Sequence, residues 1–204
     1  MSAKAVEIET PHGLARAHVY RAERPWAALV LGHGAAGGVE AKDLVAARDA
    51  ALAERVTVAL VEQPYRVAGR RSPAPARQLD TAWATVLEHL VADELDGLPL
   101  VVGGRSLGGR VACRSAESFG AIGVLCLAFP LKPPGRKVES RLPELDAVKV
   151  PVLVVQGERD PFGIPPPGPQ REVVLVPGDH GLRADLQSVR DAVQAWLRGL
   201  TPTR

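Results

Sequence analysis

A serine flanked by glycines stands where a strand-like segment of the chain meets a helix-like one. The motif Gly-x-Ser-x-Gly spans residues 104–108, directly after the apolar run 98–103 and directly before the helix-like stretch 109–116. A sharp turn of this kind strains its central residue, and the glycines remove Cβ atoms that would clash. The turn would lift the hydroxyl of Ser106 above the sheet edge, which predicts a nucleophile. A plain glycine-rich strand–helix turn is the alternative.

A serine hydroxyl is a weak nucleophile unless a base, usually a histidine held by a carboxylate, takes its proton. After a serine in such a turn, the acid and then the histidine follow in the chain. Of the five histidines, only His180 comes after Ser106, in the loop-like sequence Val-Pro-Gly-Asp-His-Gly-Leu. We predict that His180 is the base; an exposed loop histidine is the other interpretation.

Three carboxylates near the last two strands are candidates for the acid. Asp160 comes just past the end of the strand-like run 152–155, and Glu158 lies closer to that run. Asp179 adjoins His180, but neighbouring residues rarely place a carboxylate against the ring's Nδ1–H. We therefore predict Asp160 as the acid, with Glu158 second and Asp179 third. Otherwise each is a turn residue or a solvated charge.

An acyl-transfer intermediate carries an oxyanion, which two N–H donors must stabilise. Leu107 follows the serine at a helix N-terminus, where amides are unpaired and the helix dipole is positive. The loop after the run 26–31 reads Gly-His-Gly-Ala-Ala-Gly-Gly, and its small residues let the backbone approach a substrate oxygen. We predict Leu107 and Ala35 as the two donors. His33 precedes the serine in the chain, and we predict that it fixes the loop.

Several basic residues fall in segments that should reach the edge of the sheet where Ser106 lies. A basic rim there would attract an acyl substrate that bears a carboxylate or a phosphate. Scattered solvated charges are the alternative. Arg66, Arg70 and Arg105 are the predicted substrate-binding residues. The full set is Arg66, Arg70, Arg71, Arg105, Lys132, Arg136 and Lys137.

The elements that must position these residues alternate along the chain. Residues 4–9 and 15–20 alternate polar and apolar side chains around a Pro-His-Gly turn, which indicates an antiparallel hairpin at a sheet edge. The later strand-like runs are apolar throughout, as in a parallel sheet covered on both faces: 26–31, 56–61, 98–102, 122–128, 151–155 and 172–176. Helix-like segments occupy 40–54, 76–94, 107–118 and 183–199.

This alternation predicts one doubly wound α/β domain over residues 1–204. The segments 66–75, 130–146 and 161–169 are irregular and rich in proline or glycine. All three should lie at the sheet edge that carries the serine, where open α/β sheets bind ligands. None is long enough to form a large lid.

Composition argues against several other classes of protein. A net charge of +2 with no block of like charges does not suit a nucleic-acid binder. No apolar run reaches the length of a membrane span or forms a signal region, so we expect a cytoplasmic protein without a membrane partner. Cys113 and Cys126 lie in apolar segments, which favours buried thiols over a disulfide.

Sequence spacing also bears on cofactors. His12, His18 and His89 have no metal-ligand spacing between them. The chain has neither a dinucleotide-binding glycine motif after a strand nor a phosphate loop. We therefore expect no metal and no organic cofactor.

The motifs of the chain resemble those of the α/β-hydrolases over residues 4–200. The resemblance rests on Leu-Gly-His-Gly-Ala-Ala-Gly-Gly (31–38), Glu-Gln-Pro-Tyr-Arg (62–66), Gly-Gly-Arg-Ser-Leu-Gly-Gly-Arg (103–110), Gly-Glu-Arg-Asp-Pro-Phe-Gly (157–163) and Gly-Asp-His-Gly-Leu (178–182). The second and third motifs are similar to those of a dienelactone-hydrolase-like branch that contains the KANL3/Tex30 proteins. The resemblance implies an α/β-hydrolase fold with little or no lid. Dienelactone hydrolases use a cysteine nucleophile where this chain has Ser106, which argues against dienelactone as the substrate.

Together these observations predict a serine hydrolase that cleaves an ester or thioester of a small acyl group through an acyl-enzyme. The resembling branch also implies an alternative, a non-catalytic scaffold, because one of its eukaryotic members is a component of a chromatin-modifying complex. An acyltransferase, which hands the acyl group to an acceptor other than water, is a third hypothesis. The acyl chain, the leaving group and homo-oligomer formation stay open.

Overall fold

The computed structural model describes residues 3–132 and 139–201, which form one eight-stranded sheet with helices on both faces. The strands are β1 (Lys4–Thr10), β2 (Gly13–Tyr20), β3 (Ala27–Gly32), β4 (Val56–Glu62), β5 (Leu100–Arg105), β6 (Gly123–Leu127), β7 (Val152–Gly157) and β8 (Arg171–Val176). The helices are α1 (Lys42–Ala53), α2 (Pro64–Val67), α3 (Ala76–Ala92), α4 (Leu107–Ser115), α5 (Leu142–Asp146) and α6 (Leu186–Leu200).

The sheet has the strand order β1-β2-β4-β3-β5-β6-β7-β8. The predicted hairpin is present: β1 pairs antiparallel with β2, and β2 pairs antiparallel with β4. From β4 to β8 all neighbouring strands are parallel. Because parallel strands end at the same edge, the loops after β3, β5, β7 and β8 meet there.

The inner strands are largely apolar because helices cover them on both faces. Every residue of β3 and β7 is buried. One apolar cluster includes Trp83 of α3 and Val111 of α4, and the other includes Leu44 of α1 and Val193 of α6. Each helix therefore buries one stripe against the sheet, which is why the helical spacing of apolar residues predicts these segments.

The structure refines the predicted elements at several points. The last helix begins at Leu186 rather than near residue 183, because the side chain of Asp185 caps it by accepting the N–H of Ser188 at 3.0 Å. Of the segments predicted to be irregular, 66–75 overlaps the end of the short helix α2 and 130–146 contains the short helix α5, and each helix has a proline in its first turn. Cys113 and Cys126 are buried free thiols, as predicted.

No helix within the described ranges is both long enough and apolar enough to cross a membrane.

Candidate active site

Ser106 lies between β5 and α4 in a backbone conformation that residues other than glycine rarely adopt, with φ 51° and ψ −105°. The turn is held by the N–H of Ser106, which donates to the carbonyl oxygen of Leu127 at 2.8 Å. It also requires its glycines: a Cβ at Gly104 would lie 2.5 Å from the carbonyl oxygen of Gly32, and one at Gly108 would lie 2.2 Å from it. The predicted strained turn is therefore present, with α4 packed directly against β3.

His180, in the loop after β8, connects the serine to a carboxylate. Its Nε2 lies 3.0 Å from Oγ of Ser106, and its Nδ1 lies 2.8 Å from Oδ2 of Asp160. Because a carboxylate oxygen only accepts, Nδ1 carries the hydrogen and Nε2 keeps its lone pair toward the serine. This tautomer is the one that a general base needs. The structure thus brings together Ser106, Asp160 and His180.

The carboxylate of Asp160 is completely buried, with 0% of the side chain exposed. Its Oδ1 accepts the backbone N–H of Phe162 at 2.9 Å. Its Oδ2 accepts both Nδ1–H of His180 and Nε2–H of Gln156, the latter at 2.8 Å. These donors compensate for the loss of water and fix the direction in which the carboxylate points.

Gln156 of β7 is a member of the site that the sequence analysis missed. Its side chain is buried, and its Nε2 also lies 3.1 Å from the carbonyl oxygen of Phe129 and 2.9 Å from that of Gly163. The amide therefore ties the loop that carries Asp160 to the end of the neighbouring strand. One signal was present in the sequence: a glutamine in a run of apolar residues that forms an inner strand.

The other two candidate acids lie elsewhere. Glu158 and Asp179 are exposed, and Oδ1 of Asp179 accepts the N–H of Gly181 at 2.8 Å. Within the described residues neither carboxylate forms a hydrogen bond or an ion pair with His180. The remaining face of the imidazole packs edge-on against Phe162, with ring centroids 4.3 Å apart. This aromatic contact limits the orientation of the imidazole ring.

The loop after β3 lies beside the serine, since a Cβ at Gly34 would be 3.7 Å from Cβ of Ser106. Nδ1–H of His33 donates to the carbonyl oxygen of Gly34 at 2.8 Å. The N–H of Ala35 belongs to the same trans peptide group as that carbonyl and points the opposite way. His33 therefore fixes the direction of the N–H that we predict to be an oxyanion donor. The hydroxyl of Tyr65 also donates to the carbonyl oxygen of Ala35, at 2.9 Å.

The second predicted donor, Leu107, is the first residue of α4. Its amide lacks an acceptor within the helix, as the first four amides of any helix do. The predicted donors therefore lie in the segments that follow the adjacent parallel strands β3 and β5.

The hydrogen bonds at both ring nitrogens, to Gly34 and to Gln63, hold His33 in its neutral form. The N–H of Gln63 donates to Nε2 at 3.1 Å, so Nε2 must keep its lone pair. Burial lowers the pKa of His33 below its ordinary value, and the nearby charge of Arg66 contributes further in the same direction.

We expect His33 to make the stability of the fold depend on pH. Its folded pKa lies below the unfolded value of 6.5, so the unfolded chain binds a proton more readily. The stabilisation is therefore full above that value and is lost as the pH falls through the folded pKa. His33→Asn should lower the unfolding midpoint at pH 7.5, and the gap to wild type should narrow at pH 5.5. The exposed His12, replaced in the same way, is the control and should show no gap. A gap that widens in acid would contradict the prediction.

The described residues of the predicted basic rim differ in their surroundings. Arg66 lies in α2, where one of its Nη1–H groups donates to the carbonyl oxygen of Arg70 at 3.3 Å. Arg70 lines a cavity of about 290 Å³ together with Tyr65. Arg71 and Lys132 are exposed, whereas Arg136 and Lys137 lie outside the described residues. Substrate binding by Arg66 and Arg70 stays a prediction.

Arg105 differs from these residues because two of its guanidinium nitrogens contact other elements of the site. Nε lies 2.8 Å from Oδ2 of Asp43, and an Nη2–H group donates to the carbonyl oxygen of His180 at 2.9 Å. Two of its three nitrogens therefore already have protein partners.

Residues 3–132 and 139–201 contain no group of three or more His, Cys, Asp or Glu side chains that could hold a metal ion.

Comparison with known proteins agrees with this architecture. A family model described as an alpha/beta hydrolase domain matches residues 25–196. No curated protein sequence matches the chain. A solved α/β serine hydrolase without lid from Xanthomonas campestris is 21% identical, with a TM-score of 0.80 over 100% of this chain and 97% of that one.

Two further solved structures share the fold. Est1E from Butyrivibrio proteoclasticus is 16% identical, with a TM-score of 0.78 over 96% of this chain and 98% of its own. A dienelactone hydrolase from Anabaena variabilis is 14% identical, with a TM-score of 0.76 over 97% of each chain. The predicted fold, a mostly parallel sheet with an N-terminal antiparallel hairpin, is confirmed, with little or no lid among residues 3–132 and 139–201. The chain belongs to the α/β-hydrolase family.

Proposed function

We propose that the chain is a serine hydrolase that cleaves an ester or thioester of a small acyl group. The proposal rests chiefly on the continuous contact from Oγ of Ser106 through the ring of His180 to the carboxylate of Asp160, at 3.0 Å and 2.8 Å. Membership of the α/β-hydrolase family supports hydrolysis as the general activity. The unusual backbone of the serine turn supports a nucleophile, because strain of this kind persists where function needs it.

In the proposed reaction, Oγ of Ser106 bonds to the acyl carbon while its proton passes to Nε2 of His180. Asp160 stabilises the resulting imidazolium, and the N–H groups of Ala35 and Leu107 stabilise the oxyanion. The imidazolium then protonates the leaving alkoxide or thiolate as its bond to the acyl carbon breaks. In the second half, His180 takes a proton from water as the water oxygen bonds to the acyl carbon. The imidazolium then returns that proton to Oγ of Ser106 as the bond between Oγ and the acyl carbon breaks, which releases the carboxylic acid and free Ser106.

A fluorophosphonate probe tests the nucleophile directly. We expect Oγ of Ser106 to displace fluoride and form one phosphorus–oxygen bond per chain, detected as one added mass by intact-protein mass spectrometry. Ser106→Ala should stay unlabelled, and replacement of the exposed Ser118 by alanine should label like wild type. A folded wild-type protein that resists the probe would favour the non-catalytic scaffold.

Product analysis separates hydrolysis from acyl transfer. We expect p-nitrophenyl esters to give free carboxylic acid and p-nitrophenol in equal amounts. If acid appears only slowly, and an added alcohol or thiol accelerates p-nitrophenol release while becoming acylated, the acyltransferase hypothesis gains support instead.

We expect the enzyme to prefer short acyl chains. The segment between β6 and β7 holds only the five-residue helix α5 among its described residues, and proline occurs four times within 130–146. Such a segment can border an opening but offers little apolar surface for a deep channel. Each buried methylene contributes about 0.8 kcal/mol, so kcat/KM should peak at roughly two to four acyl carbons. A kcat/KM that still rises at about eight carbons in a series of p-nitrophenyl esters would contradict this expectation.

A further inference from the structure

The residue that precedes the nucleophile has a side chain that reaches three parts of the site. Arg105 places Nε 2.8 Å from Oδ2 of Asp43 and donates an Nη2–H group to the carbonyl oxygen of His180 at 2.9 Å. It also lies against the loop after β3, because a Cβ at Gly34 would be only 2.7 Å from Nη1. The guanidinium therefore contacts the first turn of α1, the loop of the base and the loop of the predicted oxyanion donor.

Asp43 determines where this guanidinium lies. The residue is 1% exposed, and its Oδ1 accepts the N–H of Leu44 at 3.0 Å. Oδ2 has no aligned hydrogen-bond donor among the described residues, so its contact with Arg105 is a close ion pair. Burial raises the pKa of Asp43, and the charge of Arg105 opposes that rise. A buried carboxylate without a cation is strongly unfavourable, so the pair holds the arginine in place.

The contact with His180 has a direct consequence for the distance between base and nucleophile. The side chain of Arg105 binds the main chain of His180, whereas its own main chain continues into Ser106. One strained turn thus carries the nucleophile and also anchors the backbone of the base. Loops are more mobile than strands and helices, so this backbone anchor adds to the hydrogen bond that holds the ring to Asp160. A displacement of about 1 Å in a reacting pair can lower the rate about 100-fold.

We propose that Arg105, held by Asp43, is a positioning residue that keeps Nε2 of His180 within reach of Oγ of Ser106. The inference rests on the proposed serine hydrolase function. It gives Arg105 a different role from the predicted binding of substrate.

The role requires the shape of arginine. The guanidinium places one nitrogen at Asp43 and another at the carbonyl oxygen of His180, in a fixed plane. Lysine has the same charge but a single nitrogen, which cannot occupy both positions. Arg105→Lys therefore keeps a cation for the buried carboxylate while it removes the anchor of the base.

Because lysine keeps the charge of arginine but loses the contact with His180, the variant Arg105→Lys separates a positioning role from a purely structural one. For Arg105→Lys we expect an unfolding midpoint close to that of wild type, an unchanged KM for a neutral short-chain ester, and a kcat about 10- to 100-fold lower. The rate of fluorophosphonate labelling should fall in parallel, since it reports the activation of Ser106 without a bound substrate. Asp43→Asn should lower kcat and the labelling rate by a smaller factor, because this substitution removes the ion pair of the guanidinium but leaves the guanidinium itself in the protein.

Arg114→Lys is the matched control. Arg114 lies in α4 and forms a two-nitrogen contact with Asp80 at 2.9 Å and 2.6 Å, with no contact to the base. Its replacement should leave kcat and the labelling rate unchanged. In addition, free guanidinium ion should restore part of the kcat of Arg105→Ala and have no such effect on wild type.

The outcomes distinguish this inference from the proposed function. If the wild type is labelled and Arg105→Lys is labelled at the same rate, the positioning role is overturned and the hydrolase proposal stays intact. A KM that rises for anionic esters, with kcat unchanged, would also overturn it and point to substrate binding by Arg105. A wild type that takes no label would overturn the hydrolase proposal and the positioning role together.

Discussion

Ser106→Ala is expected to lower kcat for ester hydrolysis by a factor on the order of 10⁶. The change removes the oxygen that forms the acyl-enzyme, and a water molecule would have to attack the substrate without covalent catalysis. The fold should persist, because the new side chain is smaller and the turn already tolerates a Cβ at φ 51°. Initial rates with a short p-nitrophenyl ester, together with circular dichroism of the variant, provide the measurement.

The partner of the serine supplies the control for this prediction. Because Ser106 and His180 would act as one unit, His180→Ala should cause a loss of similar size, and the double variant should be only slightly slower than either single one. Losses that multiply in the double variant would mean that the two side chains contribute independently. The 3.0 Å contact would then not be the catalytic one.

Asp160→Asn is expected to lower kcat by about 10⁴-fold. The amide introduced by this substitution could present an N–H to Nδ1 of His180, which would leave the ring hydrogen on Nε2, facing the serine. That tautomer cannot accept the proton of Ser106. KM should change little, since the carboxylate is completely buried and does not reach solvent. Steady-state kinetics of the purified variant against wild type provide the measurement.

Asp179→Asn is the matched control, because it makes the same chemical change next to the same histidine. Asp179 is exposed, and its carboxylate accepts only the N–H of Gly181 among the described groups. We expect its replacement to change kcat by less than about 10-fold, in line with a solvated turn residue. If Asp179→Asn is the more damaging of the two substitutions, the assignment of Asp160 as the acid is wrong.

Much of the architecture can be predicted from the sequence, because apolar runs and apolar spacing are patterns within short stretches of the chain. Continuous apolar runs predict strands that are buried on both faces, and β3, β4 and β7 begin within one residue of the predicted positions. The helical spacing of apolar residues likewise predicts the position of α6. The order of the serine, the acid and the histidine also lies in the chain, and it points to the three residues that the structure brings together.

Other features of the site depend on contacts between segments far apart in the chain. Asp43 and Arg105 meet only because β3 lies beside β5, which places the start of α1 next to the serine turn. The same sequence that predicts a basic rim therefore gives no sign that one arginine is paired inside the protein.

The choice among the three acidic residues has the same physical basis. Which carboxylate faces Nδ1 of His180 depends on the directions in which the loops after β7 and β8 leave adjacent parallel strands. Gln156 fixes one of these directions because its Nε2, with two hydrogens, lies within hydrogen-bond distance of three acceptors on converging loops. Position along the chain ranks Asp160 first among the three acids, but the direction of its carboxylate becomes visible only once the strands are paired and packed.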